Sequence, residues 1–172
     1  MKTLAFLMLA FPLCGGLTLA VAGRTTFPGG REVLTLAGWF SSGEVHASLD
    51  VLLDPLALIM ALMVTFVSFV IHAHSAFYMR GEEGYVRFFC YMNLFVFSML
   101  VIVLADNLLF LFLGWEGVGF CSFALIGHWY HEEFRGLAGQ KAFIMTHIGD
   151  VAFVAAMAVL ASQARTLSIS EI

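Results

Sequence analysis

Long apolar runs separated by short polar stretches set the layout of this 172-residue chain. Residues 3–23 carry no charge, and residues 56–79, 88–105, 108–130 and 137–162 form four further runs with few charges or none. Each is long enough for the hydrocarbon core of a bilayer, which a helix crosses in about 20 residues. Between them lie polar breaks. Asp54-Pro55 is a helix start, because Asp accepts from free first-turn amides and Pro at the first helical position forfeits no needed donor. "RGEEGYVR" (80–87) and "HEEFRG" (131–136) read as tight turns, and Asp106-Asn107 closes the third run. Val45, Ala47, Leu49 and Val51 alternate with more polar neighbours, which predicts a short strand or hairpin in the loop before Asp54.

The pattern therefore predicts an all-α, polytopic transmembrane helix bundle of about five spans. Residues 1–23 form a first span or a signal-like segment, since Ala20-Val21-Ala22 has the form of a cleavage site. Residues 24–54 form an outer-side loop, 55–163 a four-helix membrane segment and 164–172 a polar tail.

Composition agrees, with 61% hydrophobic residues, 12% charged residues and a mean hydropathy of +0.94, far from the balance of a soluble domain. The net charge of −4, with eight scattered Lys and Arg, offers no basic face and excludes a nucleic-acid partner. Cys14, Cys90 and Cys121 sit in apolar runs without C-x-x-C spacing, so neither a disulfide framework nor a zinc site is expected. Lys2, Arg80, Arg87, Arg135 and Lys141 fall on one side of the spans and Arg24, Arg31 and Arg165 on the other, which places the 80–87 and 131–136 turns in the cytoplasm.

The chemistry lies where charge interrupts lipid-compatible sequence. Glu116 stands nine residues into the 108–130 run, about 13 Å from its outer end at 1.5 Å per residue and near the membrane midplane. An acid there is costly and marks a functional site by default. Gly114, Gly117 and Gly119 surround it and allow a neighbouring helix to approach closely. The last run carries Lys141, His147 and Asp150; His147 and Asp150 share one helical stripe with Thr146 beside them, and Lys141 lies one to two turns nearer the cytoplasm. His147 suits a proton relay because imidazole titrates near neutral pH. The competing structural readings are that Glu116 only bonds a neighbouring helix, that His147 and Asp150 are a buried polar pair, and that Lys141 snorkels to the interface. Haem or metal ligation by His72, His74, His128, His131 or His147 is disfavoured, because His72 and His74 point to different faces and "HWYHEE" lacks the zincin order.

"FFCYMNLFVFSMLVIVLADNLLFLFLGWEGVGFCSFALIGHWY" followed by "KAFIMTHIGD", with "LDPLALIM" and "RFF" before them, resembles the L-type antiporter-like subunits of respiratory complex I, the group that includes mitochondrial subunit 5. The resemblance covers roughly residues 45–162. It implies a proton-pumping subunit of the membrane arm, with the glutamate of "GWEGVG", here Glu116, paired with a lysine on a later broken helix beyond residue 172. It also assigns the basic position and aspartate of the family's "R-x-G-D" stretch to His147 and Asp150, and the lysine of "KAF" to Lys141. His147 stands where the family carries arginine, which makes the charge there pH-dependent. The family has two helices before the outer loop, where this sequence offers one, and continues through two inverted repeats; the chain is expected to be a fragment or split gene product covering part of the first.

By this resemblance the chain is a subunit of a proton-translocating NADH:quinone oxidoreductase in a bacterial inner membrane. It holds no cofactor of its own, with NADH, FMN, iron–sulfur clusters and quinone belonging to other subunits. Its partners are the lipid bilayer, other membrane-arm subunits and the remaining half of the antiporter-like fold. The alternatives are a subunit of a multisubunit cation/proton antiporter or membrane-bound hydrogenase, and a structural fragment that moves no ions.

Overall fold

The computed structural model describes residues 32–42 and 45–172. Strands β1 (Glu32–Ser42) and β2 (Val45–Leu53) precede four helices, α1 (Pro55–Tyr78), α2 (Tyr85–Leu104), α3 (Leu108–Ile126) and α4 (Glu133–Ala164). All four helices are long and apolar enough to cross a membrane. The expected first span, at residues 1–23, lies outside the described residues.

Two of the helices begin where a side chain supplies a partner for free amides. Asp54 caps α1, its Oδ1 accepting from the Ala57 amide at 2.6 Å, with Pro55 in the first turn. Asn107 caps α3 in the same way, accepting from Leu109 N at 2.9 Å. Gly84, at φ 80°, turns the chain into α2 through a left-handed conformation that other residues resist.

Consecutive helices pack side by side, α1 on α2, α2 on α3 and α3 on α4. The tightest approach is α2 to α3. A Cβ on Gly114 would stand 2.9 Å from Ser98 O, Val101 Cγ1 and Ile102 Cγ1, and one on Gly117 would strike the Ser98 hydroxyl. Close backbone approach through small residues is how membrane helices associate when no hydrophobic force separates helix from lipid.

The largest differences from the sequence pattern fall at the α3–α4 connection. The 108–130 run ends as a helix at Ile126, and α4 starts at Glu133, so four residues of the expected "HEEFRG" turn are helical. His128 packs inward just past the stop. Its ring is buried edge-on between Phe88 and Trp129, at centroid distances of 5.4 and 5.1 Å, and its carbonyl accepts from Arg87 Nη2 at 3.2 Å. The Glu132–Arg135 pair, 2.7 Å apart, then braces the first turn of α4.

At the opposite end, Asp106 ties three segments together. Its amide donates to Asp50 O of β2 at 3.0 Å, and its carbonyl accepts from Ile169 N at 2.6 Å. Its carboxylate accepts from Ser168 Oγ, Ser170 N and Ser170 Oγ at 2.9, 3.0 and 2.8 Å. The hairpin, the α2–α3 connection and the tail thus share one buried acid, which is 1% exposed.

Two predictions follow from the packing. Gly114→Ala forces a methyl into an occupied interface and should cost about 1–3 kcal/mol of stability, whereas Gly119→Ala, whose Cβ would meet nothing within 4 Å, should be neutral; thermal unfolding of the assembled complex in detergent separates the two. At the turn end, burial and then the Arg87 charge hold the His128 pKa below its ordinary 6.5. The unfolded chain therefore binds the proton more readily, so this contribution is intact above pH 6.5 and is lost as pH falls from there toward the lowered value. Melting temperature should drop on acidification over that range, and the drop should shrink in His128→Gln.

Candidate functional site

Glu116 lies at mid-length on α3. With about 100° per residue, it is turned about 100° from Gly117 and about 160° from Gly114. Those glycines press α3 against α2, so Glu116 faces away from that interface and toward α4. His147 and Asp150, three residues apart on α4, meet it there.

The distances define a chain of contacts. Glu116 Oε2 is 3.1 Å from His147 Nε2, and His147 Nδ1 is 3.7 Å from Asp150 Oδ2. Nδ1 also lies 3.0 Å from Phe143 O, one turn earlier. A carbonyl oxygen only accepts, so Nδ1 carries a hydrogen, and in the neutral ring Nε2 is then bare. Two acceptors cannot sit 3.1 Å apart without a hydrogen between them, so this contact is a bond only while the pair holds one proton. That proton belongs to an imidazolium facing a carboxylate, or to a carboxylic acid facing a neutral ring.

Asp150 is 8% exposed and is held by a partner from α3, since Trp115 Nε1 donates to its Oδ1 at 2.8 Å. Glu116 and His147 are more open, with side chains 31% and 37% exposed. Thr146 returns its hydroxyl to Ala142 O and Phe143 O on its own helix and lines an open groove with Trp115, Gly119, Ser122 and Asp150.

The other expected residues stand apart from the cluster. Lys141 is exposed, about 9 Å along the helix axis from His147, and among the described residues no ion pair to it is found. Gly114 and Gly117 make the α2 interface, but Gly119 faces open space rather than a neighbouring helix. The lysine that the family resemblance pairs with Glu116 belongs to a helix beyond residue 172; among the described residues His147 meets Glu116.

His72, His74, His128 and His131 do not converge. His72 Nδ1 is bonded to Ser68 O at 2.8 Å, His74 lies against Tyr78 and His131 against Tyr130. Among the described residues, Glu116, His147 and Asp150 alone bring ligand-type atoms together, all within 4.8 Å of one another. A metal ion on Nε2 would displace the hydrogen that this nitrogen shares with Glu116. Trp115 was not foreseen from sequence, although an indole N–H in lipid-compatible sequence needs an acceptor and its neighbour is an intramembrane acid.

Among the described residues, four apolar helices with an acid–imidazole–acid cluster between two of them define a polytopic membrane protein with ionisable groups at mid-span. Residues 39–89 match the family described as NADH-Ubiquinone oxidoreductase (complex I), chain 5 N-terminus, and residues 105–172 match NADH:quinone oxidoreductase/Mrp antiporter, TM. NADH-quinone oxidoreductase subunit L of Escherichia coli is 46% identical over 157 residues, which is 90% of this chain and 26% of the relative. Its namesake in Pseudomonas aeruginosa is 48% identical over 144 residues, 84% of this chain and 23% of the relative. The chain thus spans about a quarter of the length of these relatives. Among solved structures, the Mrp complex from Dietzia sp. DQ12-45-1b aligns over 93% of this chain and 17% of its own, with a TM-score of 0.75 and 28% identity. A membrane-bound sulfane sulfur reductase, an archaeal respiratory membrane complex, shares the fold at a TM-score of 0.68 and 18% identity, over 91% of this chain and 23% of its own. The chain belongs to the antiporter-like family of complex I and Mrp subunits, on the L-type branch, and is an integral, multi-pass membrane protein.

Proposed function

We propose that this chain contributes a proton-translocating site to the membrane arm of an NADH-quinone oxidoreductase in a bacterial inner membrane. The observation that carries the proposal is the 3.1 Å contact between Glu116 and His147 across the α3–α4 interface. The pair bonds with one proton and repels without it, so loading and unloading that proton changes the force between two membrane helices. Asp150 on the far side of the ring supplies negative charge for the imidazolium. Lys141, toward the turn end of α4, feeds protons to the pair from that side.

In this reading the chain holds no redox cofactor; NADH, FMN, iron–sulfur clusters and quinone belong to partner subunits, whose electron transfer drives the proton movement. The likeness to the Dietzia Mrp complex supports a second reading, exchange of a cation against protons without quinone chemistry. Pumping that follows NADH oxidation and ignores sodium supports the first; sodium-driven proton exchange without NADH supports the second.

Substitution of Glu116 tests the site. Glu116→Gln keeps the shape but not the ionisable group and should lower proton transport by about a hundredfold or more with assembly intact, the loss typical of a removed proton-transfer group. Glu116→Asp keeps the carboxyl on a shorter stem and should do less harm. A packing role predicts the reverse order. Normal proton transport by Glu116→Gln in sealed vesicles would sink the proposal.

A further inference from the structure

We infer that Trp115 is a positioning residue for this relay, acting through Asp150; the inference rests on the proton-relay reading above. Trp115 and Glu116 are neighbours on α3, and each makes one polar contact to α4: Trp115 Nε1 to Asp150 Oδ1 at 2.8 Å, and Glu116 Oε2 to His147 Nε2 at 3.1 Å. Two contacts one residue apart on α3 and three apart on α4 fix the rotation of one helix against the other, which a single contact does not.

The Trp115 contact has a fixed direction. An indole N–H donates and cannot accept, so Asp150 Oδ1 is the acceptor and cannot carry a proton there while the bond stands. The carboxylate is pinned with its other oxygen, Oδ2, on the Nδ1 side of His147. The bond therefore fixes where the Asp150 carboxyl stands relative to the imidazole, and its Oδ2 stays directed at the Nδ1 side of the ring. α3 is the helix packed on α4, and Glu116 is its only charged residue, so Glu116 and Asp150 are the charged groups that face the imidazole from these two helices.

Packing does not account for Trp115. Its side chain is half exposed, and its ring contact in the cluster is with Phe153 at 6.1 Å, itself supported by Phe112 at 5.6 Å. An indole kept for bulk alone has no need to aim its nitrogen at an acid within lipid-compatible sequence.

The test compares Trp115→Phe, a ring without the donor, with Trp115→Gln, a donor of similar reach without the ring, in the assembled complex in sealed vesicles. Expected results for Trp115→Phe are normal assembly, a severalfold slower proton transport, and a pH profile that departs from the wild type because Asp150 is no longer held beside the imidazole. Trp115→Gln should recover the wild-type profile, and Trp115→Phe should add nothing in an Asp150→Ala background. A wild-type profile for Trp115→Phe, additive losses with Asp150→Ala, better function in Phe than in Gln, or failure of Trp115→Phe to assemble would each overturn the inference. Glu116→Gln run in parallel keeps the two ideas apart: if it transports normally, the relay reading has failed, and if it is inactive while Trp115→Phe behaves as wild type, only the positioning role has.

Discussion

The arrangement depends on one constraint: a carboxyl group at mid-membrane must find its partner within the protein, because lipid offers none. Glu116 meets that constraint through a histidine on the next helix. Much of the local architecture follows. α3 is drawn against α2 by Gly114 and Gly117, leaving its opposite side to bring Trp115 and Glu116 to α4. α4 answers with two polar residues on one stripe, spaced so that one helix turn presents both. The polar contacts cross a single interface, and most of the remaining helix surface is exposed and apolar, suited to lipid and to neighbouring subunits.

The ends of the bundle hold this interface in register. At the turn end, Arg87 bonds the His128 carbonyl and lies 5.0 Å over the Tyr130 ring, joining the start of α2 to the α3–α4 turn. At the hairpin end, Asp106 gathers β2, the α2–α3 connection and residues 168–170. A helix fixed at both ends transmits a change at its middle as tilt or rotation rather than as slippage. That property suits a site whose attraction depends on one proton.

Much of the bundle was legible in the sequence because the signal is a solvent requirement. Apolar runs bounded by Asp54-Pro55 and Asp106-Asn107 leave little freedom in where α1 and α3 begin. The α3–α4 boundary was misplaced because it is decided by packing: His128 is polar by identity yet buried by contacts with Phe88 and Trp129, and composition alone treats residues 127–130 as more span. Gly119 was grouped with Gly114 and Gly117 by proximity, but successive turns of a helix face different neighbours, and only two of the three meet α2. The Asp106 knot was invisible because its donors are more than sixty residues away in the chain.

Glu116, His147 and Asp150 could be singled out from sequence because each is expensive in lipid, but their order of contact could not. Sequence spacing relates His147 to Asp150 and says nothing about α3. The structure puts the imidazole between the two acids, with Glu116 on its Nε2 side and Asp150 nearer Nδ1. That order matters for a residue standing where the family carries arginine. A guanidinium in this place would be a permanent cation shared between two carboxylates. An imidazole can be cation or neutral, and with Nδ1 committed to Phe143 O its other nitrogen changes from donor to acceptor when the proton leaves. At this position, where the resemblance implies arginine, a histidine would place a protonation step within the α3–α4 interface, where a change of one charge also changes whether the helices attract.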